Sequence, residues 1–220
     1  WVWEALEALN PSRTGEIYIT DLVKIATKQG RYVQYISSSD KLESMGINTR
    51  LELSLAENLY RKRLTDNLMV SGVTMTDPTT VYIDQQVEVE PDTVILPNTH
   101  LKGNTKVRRG CTLGPNTIIE DSNIGANCTV RSSVIEGAVL DNNVTIGPFS
   151  HVREGSLLGQ NVRVGNYAEI KNSHIGENSR SGHYSYIGDA RVGREVNIGA
   201  GTITCNYDGK EKHSTIIGDH

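Results

Sequence analysis

The chain has 220 residues, with 22 Lys+Arg against 26 Asp+Glu and a net charge of -4, a balance that argues against a general nucleic-acid or anionic-membrane binder. No apolar run approaches the ~18 residues of a membrane span, the opening Trp1-Val2-Trp3-Glu4 lacks the basic start and apolar core of a signal peptide, and three well-spread cysteines read as reduced thiols of a cytoplasmic protein. With 21 Gly, a single Phe and 5% aromatics, the composition points to a repeat whose core is filled by small regular layers rather than by large rings.

In chain order, residues 21–30 predict a short helix. Leu22, Val23, Ile25 and Ala26 form one face, and Gly30 supplies the C-cap. Residues 31–36 then predict a strand. A longer helix is expected from Leu51 to about Val70, with Leu51, Leu55, Leu59 and Leu68 near one stripe and Thr49 with Glu52 as a capping box. Together these read as a helix–strand–helix piece of an α/β domain ending in a helical arm.

From Val89 the pattern changes to a period of six. Val89, Ile95, Leu101, Val107, Leu113 and Ile119 keep that spacing, and small residues (Thr93, Thr99, Thr105, Cys111, Thr117) follow four places after the first five. A second register runs Val134, Leu140, Ile146, Val152, Leu158, Val164, Ile170. Neither the 3.6 period of a helix nor the 2 of a strand yields this; it is the pattern of a hexapeptide β-helix, three units to a coil, with about seven coils from Val89 to Gly218. Spacing falls to five at Ile119→Ile124, Ile170→Ile175 and Ile187→Val192, and residues 204–213 are polar enough to bulge as a loop.

Several residues could carry chemistry. Arg153 and Lys171 lie eighteen apart, one coil, so they stack on one corner. Two adjacent cations suit an anion such as a phosphate; the alternative is a pair of solvated surface charges. His183 sits among polar and aromatic residues in Gly182-His183-Tyr184-Ser185-Tyr186. An imidazole, with an ordinary pKa of ~6.5, can take a proton from an attacking amine or hydroxyl; a surface histidine is the plain alternative. Two faces separate His183 from Lys171 along the coil, so a cleft between subunits or the 206–213 loop is needed to close a site. The scattered histidines lack metal-ligand spacing, and Cys111 and Cys128 read as small buried residues.

The most specific strings are Gly165-Asn-Tyr-Ala-Glu-Ile-Lys171, Gly182-His-Tyr-Ser-Tyr-Ile-Gly-Asp-Ala190 and Val196-Asn-Ile-Gly-Ala-Gly-Thr-Ile-Thr-Cys-Asn-Tyr-Asp-Gly209, with Gly15-Glu-Ile-Tyr-Ile-Thr-Asp21 and Gly46-Ile-Asn-Thr-Arg50 upstream. On these the chain resembles the bacterial bifunctional N-acetylglucosamine-1-phosphate uridyltransferase/glucosamine-1-phosphate acetyltransferase family over essentially all its length. The resemblance implies a Rossmann-like nucleotidyltransferase remnant (1–50), a helical linker arm (51–71) and a left-handed parallel β-helix acetyltransferase domain (72–220), assembled as a homotrimer with sites between subunits. It implies acetyl transfer from acetyl-CoA to glucosamine-1-phosphate, then uridylyl transfer from UTP with Mg²⁺.

By the same resemblance His183 is the general base, and Arg153 and Lys171 hold the sugar phosphate. Tyr186 and Asn197 position the sugar, and Lys212 reaches the phosphate of a neighbour. Ala200, Asn206 and Tyr207 contact acetyl-CoA. Asn48 helps to bind Mg²⁺ and nucleotide, and Tyr18 and Thr20 line a sugar pocket. The family's Gly-rich nucleotide loop and its last coils are absent from these residues, so the chain is expected to be an internal fragment without uridyltransferase activity. Glu154, Asn172 and Thr49 depart from the family's usual Pro, Lys and Asn or Asp. Competing readings are a nucleotidyltransferase with a regulatory β-helix and a non-catalytic trimerisation scaffold, neither of which requires the two strings around His183 and Asn206.

Overall fold

The computed structural model describes residues 1–220, the side chains of residues 41 and 42 excepted. It divides into two compact units, Trp1–Asn48 and Thr49–His220.

In the first unit α1 (Val2–Glu7) and α2 (Asp21–Lys28) are the α-helices. The end of α2 follows the expected chemistry. Gly30 takes a φ of +67 and donates to Thr27 O, while Arg31 N donates to Ala26 O, which closes a Schellman turn. The strand expected at 31–36 does not form. Its residues are extended without a ladder, with Tyr32, Tyr35 and Ile36 at 87%, 87% and 94% exposure. A strand needs a hydrogen-bonded neighbour, and among the described residues every sheet lies outside this unit. The helix–strand–helix reading of an α/β layer is corrected accordingly.

The second unit opens with α3 (Arg50–Val70). The Thr49 side chain accepts from Glu52 N at 3.2 Å, and the Glu52 carboxylate accepts from Thr49 N at 2.7 Å, so both halves of the capping box are made. The expected leucine stripe is only partly used: Leu51 and Leu55 are exposed, whereas Leu68 packs on the core. The helix meets the first coil at Tyr82–Ile83 and at the short Pro78–Thr80 turn. There the Arg61 guanidinium lies 4.3 Å from the centre of the Tyr82 ring.

From Thr74 the chain winds into a three-sided parallel β-solenoid of the left-handed hexapeptide type. Among the described residues its three faces have eight, seven and eight strands. Face one starts with Thr74–Met75, face two with Tyr82–Ile83 and face three with Glu88–Val89. The first register of aliphatics points inward as expected: Ile95, Leu101, Leu113 and Ile119 are fully buried, and so are Thr93, Thr99, Thr105, Cys111 and Thr117. Each fully buried aliphatic stabilises the coil by roughly 1.5–3 kcal/mol. The inward hydroxyls bond to backbone carbonyls, as Thr105 Oγ1 does to Lys102 O at 2.6 Å, so the interior carries no uncompensated polar group among the described residues.

The second register needs one correction. Ile135, not Val134, fills the interior, and Val134 lies half-buried on the outer side. Both steps of Val130→Ile135→Leu140 are five residues long, so the slot one step before Leu140 falls at Ile135 rather than at Val134. Short steps end in tight corners where the backbone is left-handed: φ is +47 at Asp121, +46 at Ser132, +44 at Asn172 and +49 at Asp189. Short polar side chains tolerate that region best, and the asparagines at longer corners also bond to one another, as Asn161 does to Asn178 at 2.9 Å. After Ile198 the core loses its aliphatics. Thr204, buried, takes the inward slot, and Ile203 is left exposed. The polar segment bulges as expected, and winding resumes at Thr215–Ile217 on face three.

Candidate acyl-transfer site

Face two carries most of the candidate residues because its strands stay in register. His151–Val152 pairs with Ala168–Lys171, which pairs with Ser185–Gly188. Val152 lies opposite Ile170, so Arg153 falls beside Lys171 at the edge shared with face three, and the stacking inferred from the spacing holds in the backbone. The two side chains are not equivalent. The Arg153 guanidinium donates from Nη1 to Glu169 Oε1 at 2.9 Å, and its Nε lies 3.8 Å from Glu154 Oε2. The hydrogen bond it donates to Glu169, then the charges of the two carboxylates, raise the Arg153 pKa further above its already high value. Lys171 is half-buried and has no ion-pair partner among the described residues.

Tyr186 projects from the next coil in the same row as Glu169. Its ring lies over Gly188, so close that a Cβ there would collide with the phenol. This is a position where the missing side chain is needed for a close approach. Tyr186 Oη accepts from Asn206 Nδ2 at 3.4 Å, and the same amide donates to Asp189 Oδ2 at 2.5 Å. Asn206 opens the extruded loop. Tyr207 and Lys212 face each other across it in an antiparallel bridge, and both are exposed. Beside this corner a cleft of about 470 Å³ is lined by Asn172, Asp189, Arg191, Lys212 and His213. Hydrogen bonds from Asn172 and Asn206 hold the Asp189 carboxyl below the ordinary aspartate value, helped by the charges of Lys212 and Lys171.

The structure thus brings Arg153, Lys171, Tyr186, Asn206 and Lys212 to one edge of face two. His183 lies at the other edge. It is exposed and makes no hydrogen bond or ion pair among the described residues, and it stands in register with Ala200 one coil above. Asn197, in the Asn197–Ile198 strand of face one, leads into that corner. About five residues of extended chain separate His183 from Gly188, the position opposite Lys171, roughly 16 Å at ~3.3 Å per residue. One copy therefore keeps these two groups of candidate residues apart.

Glu169 and Asp189 were given no role from the sequence. Coil arithmetic is the available signal, since Glu169 falls eighteen residues past His151, on the strand that carries Lys171, and Asp189 eighteen residues past Lys171. Cys111 and Cys128 are buried as expected, and Cys205 is exposed.

Tyr18, Thr20 and Asn48 belong to the first unit. Tyr18 Oη donates to Glu16 Oε2 at 2.6 Å, Thr20 is the N-cap of α2 without a side-chain cap bond, and Asn48 is exposed just before the capping Thr49. Among the described residues no three His, Cys, Asp or Glu side chains converge as a metal site. Asn48 alone offers a single amide oxygen, so these residues do not fit a magnesium ion by themselves. No described helix is long and apolar enough to cross a membrane.

Residues 137–172 match the bacterial transferase hexapeptide (six repeats) family. The chain is 46% identical over 214 residues to the bifunctional protein GlmU of Caldanaerobacter subterraneus subsp. tengcongensis, covering 97% of this chain and 47% of that protein. It is 41% identical over 220 residues to the bifunctional protein GlmU of Enterococcus faecalis, covering 100% and 48%. A crystal structure of UDP-N-acetylglucosamine acyltransferase superposes with a TM-score of 0.53 at 16% identity over 57% of each chain, a likeness of fold. The chain spans about half the length of the curated relatives it matches. Over nearly all its residues the chain is similar to the bifunctional GlmU proteins, and residues 137–172 of its solenoid carry the transferase hexapeptide repeat.

Proposed function

We propose that the solenoid transfers the acetyl group of acetyl-CoA to the amine of glucosamine-1-phosphate. The observation that carries this reading is the edge of face two. There two cations one coil apart, one of them held by Glu169, adjoin Tyr186 and the Asn206–Lys212 loop. Arg153 and Lys171 take the sugar phosphate by charge-assisted hydrogen bonds. Tyr186 and Asn197 orient the sugar, and Ala200, Asn206 and Tyr207 contact acetyl-CoA. His183 accepts a proton from the substrate amine as its nitrogen attacks the acetyl carbonyl. The carbon–sulfur bond then breaks, and the proton passes to the departing thiolate of CoA. General-base action of this kind contributes typically ~10²–10⁴-fold.

The two half-sites of one copy favour a homotrimer in which the His183 edge of one subunit faces the cation edge of another, with Lys212 reaching a neighbour's phosphate. In the whole protein the product is coupled to UTP. Residues 1–50, as part of a Rossmann-like uridyltransferase domain, contribute Tyr18, Thr20 and Asn48, and residues 51–71 form the arm leading to the 72–220 domain. The setting is the cytoplasm.

The test is CoA thiol release by the natural protein that contains this chain, with glucosamine-1-phosphate compared with glucosamine-6-phosphate. Release with the 1-phosphate only, lost in His183→Ala while fold and oligomer persist, supports the reading. Mixed oligomers of His183→Ala and Lys171→Ala subunits should regain activity if the site is shared. No release from a folded oligomer would instead favour a regulatory or scaffolding solenoid.

A further inference from the structure

Residues 205–214 leave the solenoid between the inward Thr204 and the Thr215–Ile217 strand. Within this loop the polar groups satisfy one another. Asp208 accepts from Lys210 N and Glu211 N at 2.8 Å each and pairs with His213 Nε2 at 2.7 Å, while His213 N donates to Asn206 O at 2.9 Å. Among the described residues the side-chain hydrogen bonds from the loop back to the coils leave through Asn206, to Asp189 at 2.5 Å and to Tyr186 Oη at 3.4 Å. The loop is therefore held together by its own hydrogen bonds and tied to the coils at the Asn206 hinge point.

Asp189 is built into that hinge from every side. Its backbone N–H donates to Lys171 O at 3.0 Å, and its carbonyl accepts from Thr215 N at 3.1 Å, so the residue touches the coil below and the strand that follows the loop. Its carboxylate spans the same gap, with Oδ1 taking the Asn172 amide at 2.6 Å and Oδ2 the Asn206 amide. Lys171 and Lys212 are both close enough for their charges to act on it. A carboxylate placed there fixes Asn206 and also offsets the repulsion between the two cations.

We propose that Asp189 is the positioning residue of the acyl-donor half of the site, holding the Asn206–Lys212 loop against the Lys171 corner through the Asn206 amide. The claim rests on the acetyl-transfer reading for its kinetic consequence. It predicts that, in the natural protein, Asp189→Ala raises KM for acetyl-CoA by ~10-fold or more with kcat changed by less than ~3-fold. Asp189→Asn should stay within ~3-fold of wild type, because its amide can accept from Asn172 and donate to a flipped Asn206. Asparagine also suits the left-handed backbone at 189.

Amide hydrogen exchange over residues 205–214 should quicken in Asp189→Ala and not in Asp189→Asn, with the exchange of the inner coils unchanged. An Asp189→Ala protein with wild-type KM and wild-type loop exchange would overturn the proposal. So would equal loss in both variants accompanied by a lowered unfolding midpoint, which marks a merely structural residue. If the wild type itself releases no CoA, the acetyl-transfer reading falls and loop exchange alone decides Asp189: faster exchange in the alanine variant supports the clamp, unchanged exchange overturns it.

Discussion

The two units of this chain solve the burial problem in opposite ways. Among the described residues of Trp1–Asn48 the buried hydrophobic residues are Ala5 and Ala26, while Ile17, Ile19, Tyr32, Tyr35 and Ile36 remain exposed. In the solenoid an aliphatic every five or six residues lands on an aliphatic one coil away, and the interior is continuous from Val73 to Ile198. The helices of the first unit present apolar faces that need another layer to cover them. A coil brings its own cover, because the next turn of the same repeat supplies it.

Core truncation should expose the contrast most strongly. Leu113→Ala, at a fully buried position, is expected to cost about 2–5 kcal/mol in denaturant unfolding of the solenoid. Ile36→Ala, at 94% exposure, should change stability by less than ~0.5 kcal/mol. Equal costs would break the comparison. Glycines give the next largest effect. A Cβ on Gly165 would collide with the Gly182 carbonyl in the adjacent coil, whereas one on Gly46 would meet only the Asn48 amide at 3.8 Å. Gly165→Ala is expected to lose ~1–3 kcal/mol and Gly46→Ala little, as thermal unfolding would read.

The helix caps sharpen the contrast further. Thr49 closes a full capping box on α3 and Thr20 makes no side-chain cap bond on α2. Thr49→Ala should therefore cost ~1 kcal/mol, and Thr20→Ala should leave the helicity and midpoint unchanged. A loss at Thr20 as large as at Thr49 would mean that helix starts in the two units are equally dependent on their caps.

The smallest effect is local and depends on pH. Backbone donation from Glu211, followed by the His213 side chain and the Lys210 amide, lowers the Asp208 pKa from 3.8 to about 2. Because the folded value is the lower one, the ordering that Asp208 gives the loop is complete above about pH 4 and is lost as pH falls through about 2. Proton NMR of the Lys210 and Glu211 amides across that window should show the loop loosening before the coils unfold. Loosening that begins near neutral pH would contradict this assignment.

The period of six, the inward set from Ile95 to Ile119, the polar bulge after Ile203, the capping box at Thr49 and the Gly30 turn were all legible in the sequence. Each depends on chain neighbours or on a fixed repeat, so spacing alone specifies it. The stacking of Arg153 on Lys171 was legible for the same reason. The inward turn of Ile135 instead of Val134 was not, since each of two successive short steps moves the register by one and only the neighbouring coils, pairing Ile135 with Ile119 and Val152, decide which side faces in. Residues 31–36 carry strand-forming side chains, yet a strand exists only where a partner lies alongside. The Glu169–Arg153 bond and the Asp189 clamp likewise join residues 16 and 17 apart along the chain. Such contacts depend on which coil lies above which and on how far each corner turns, quantities set by the packing of the whole solenoid.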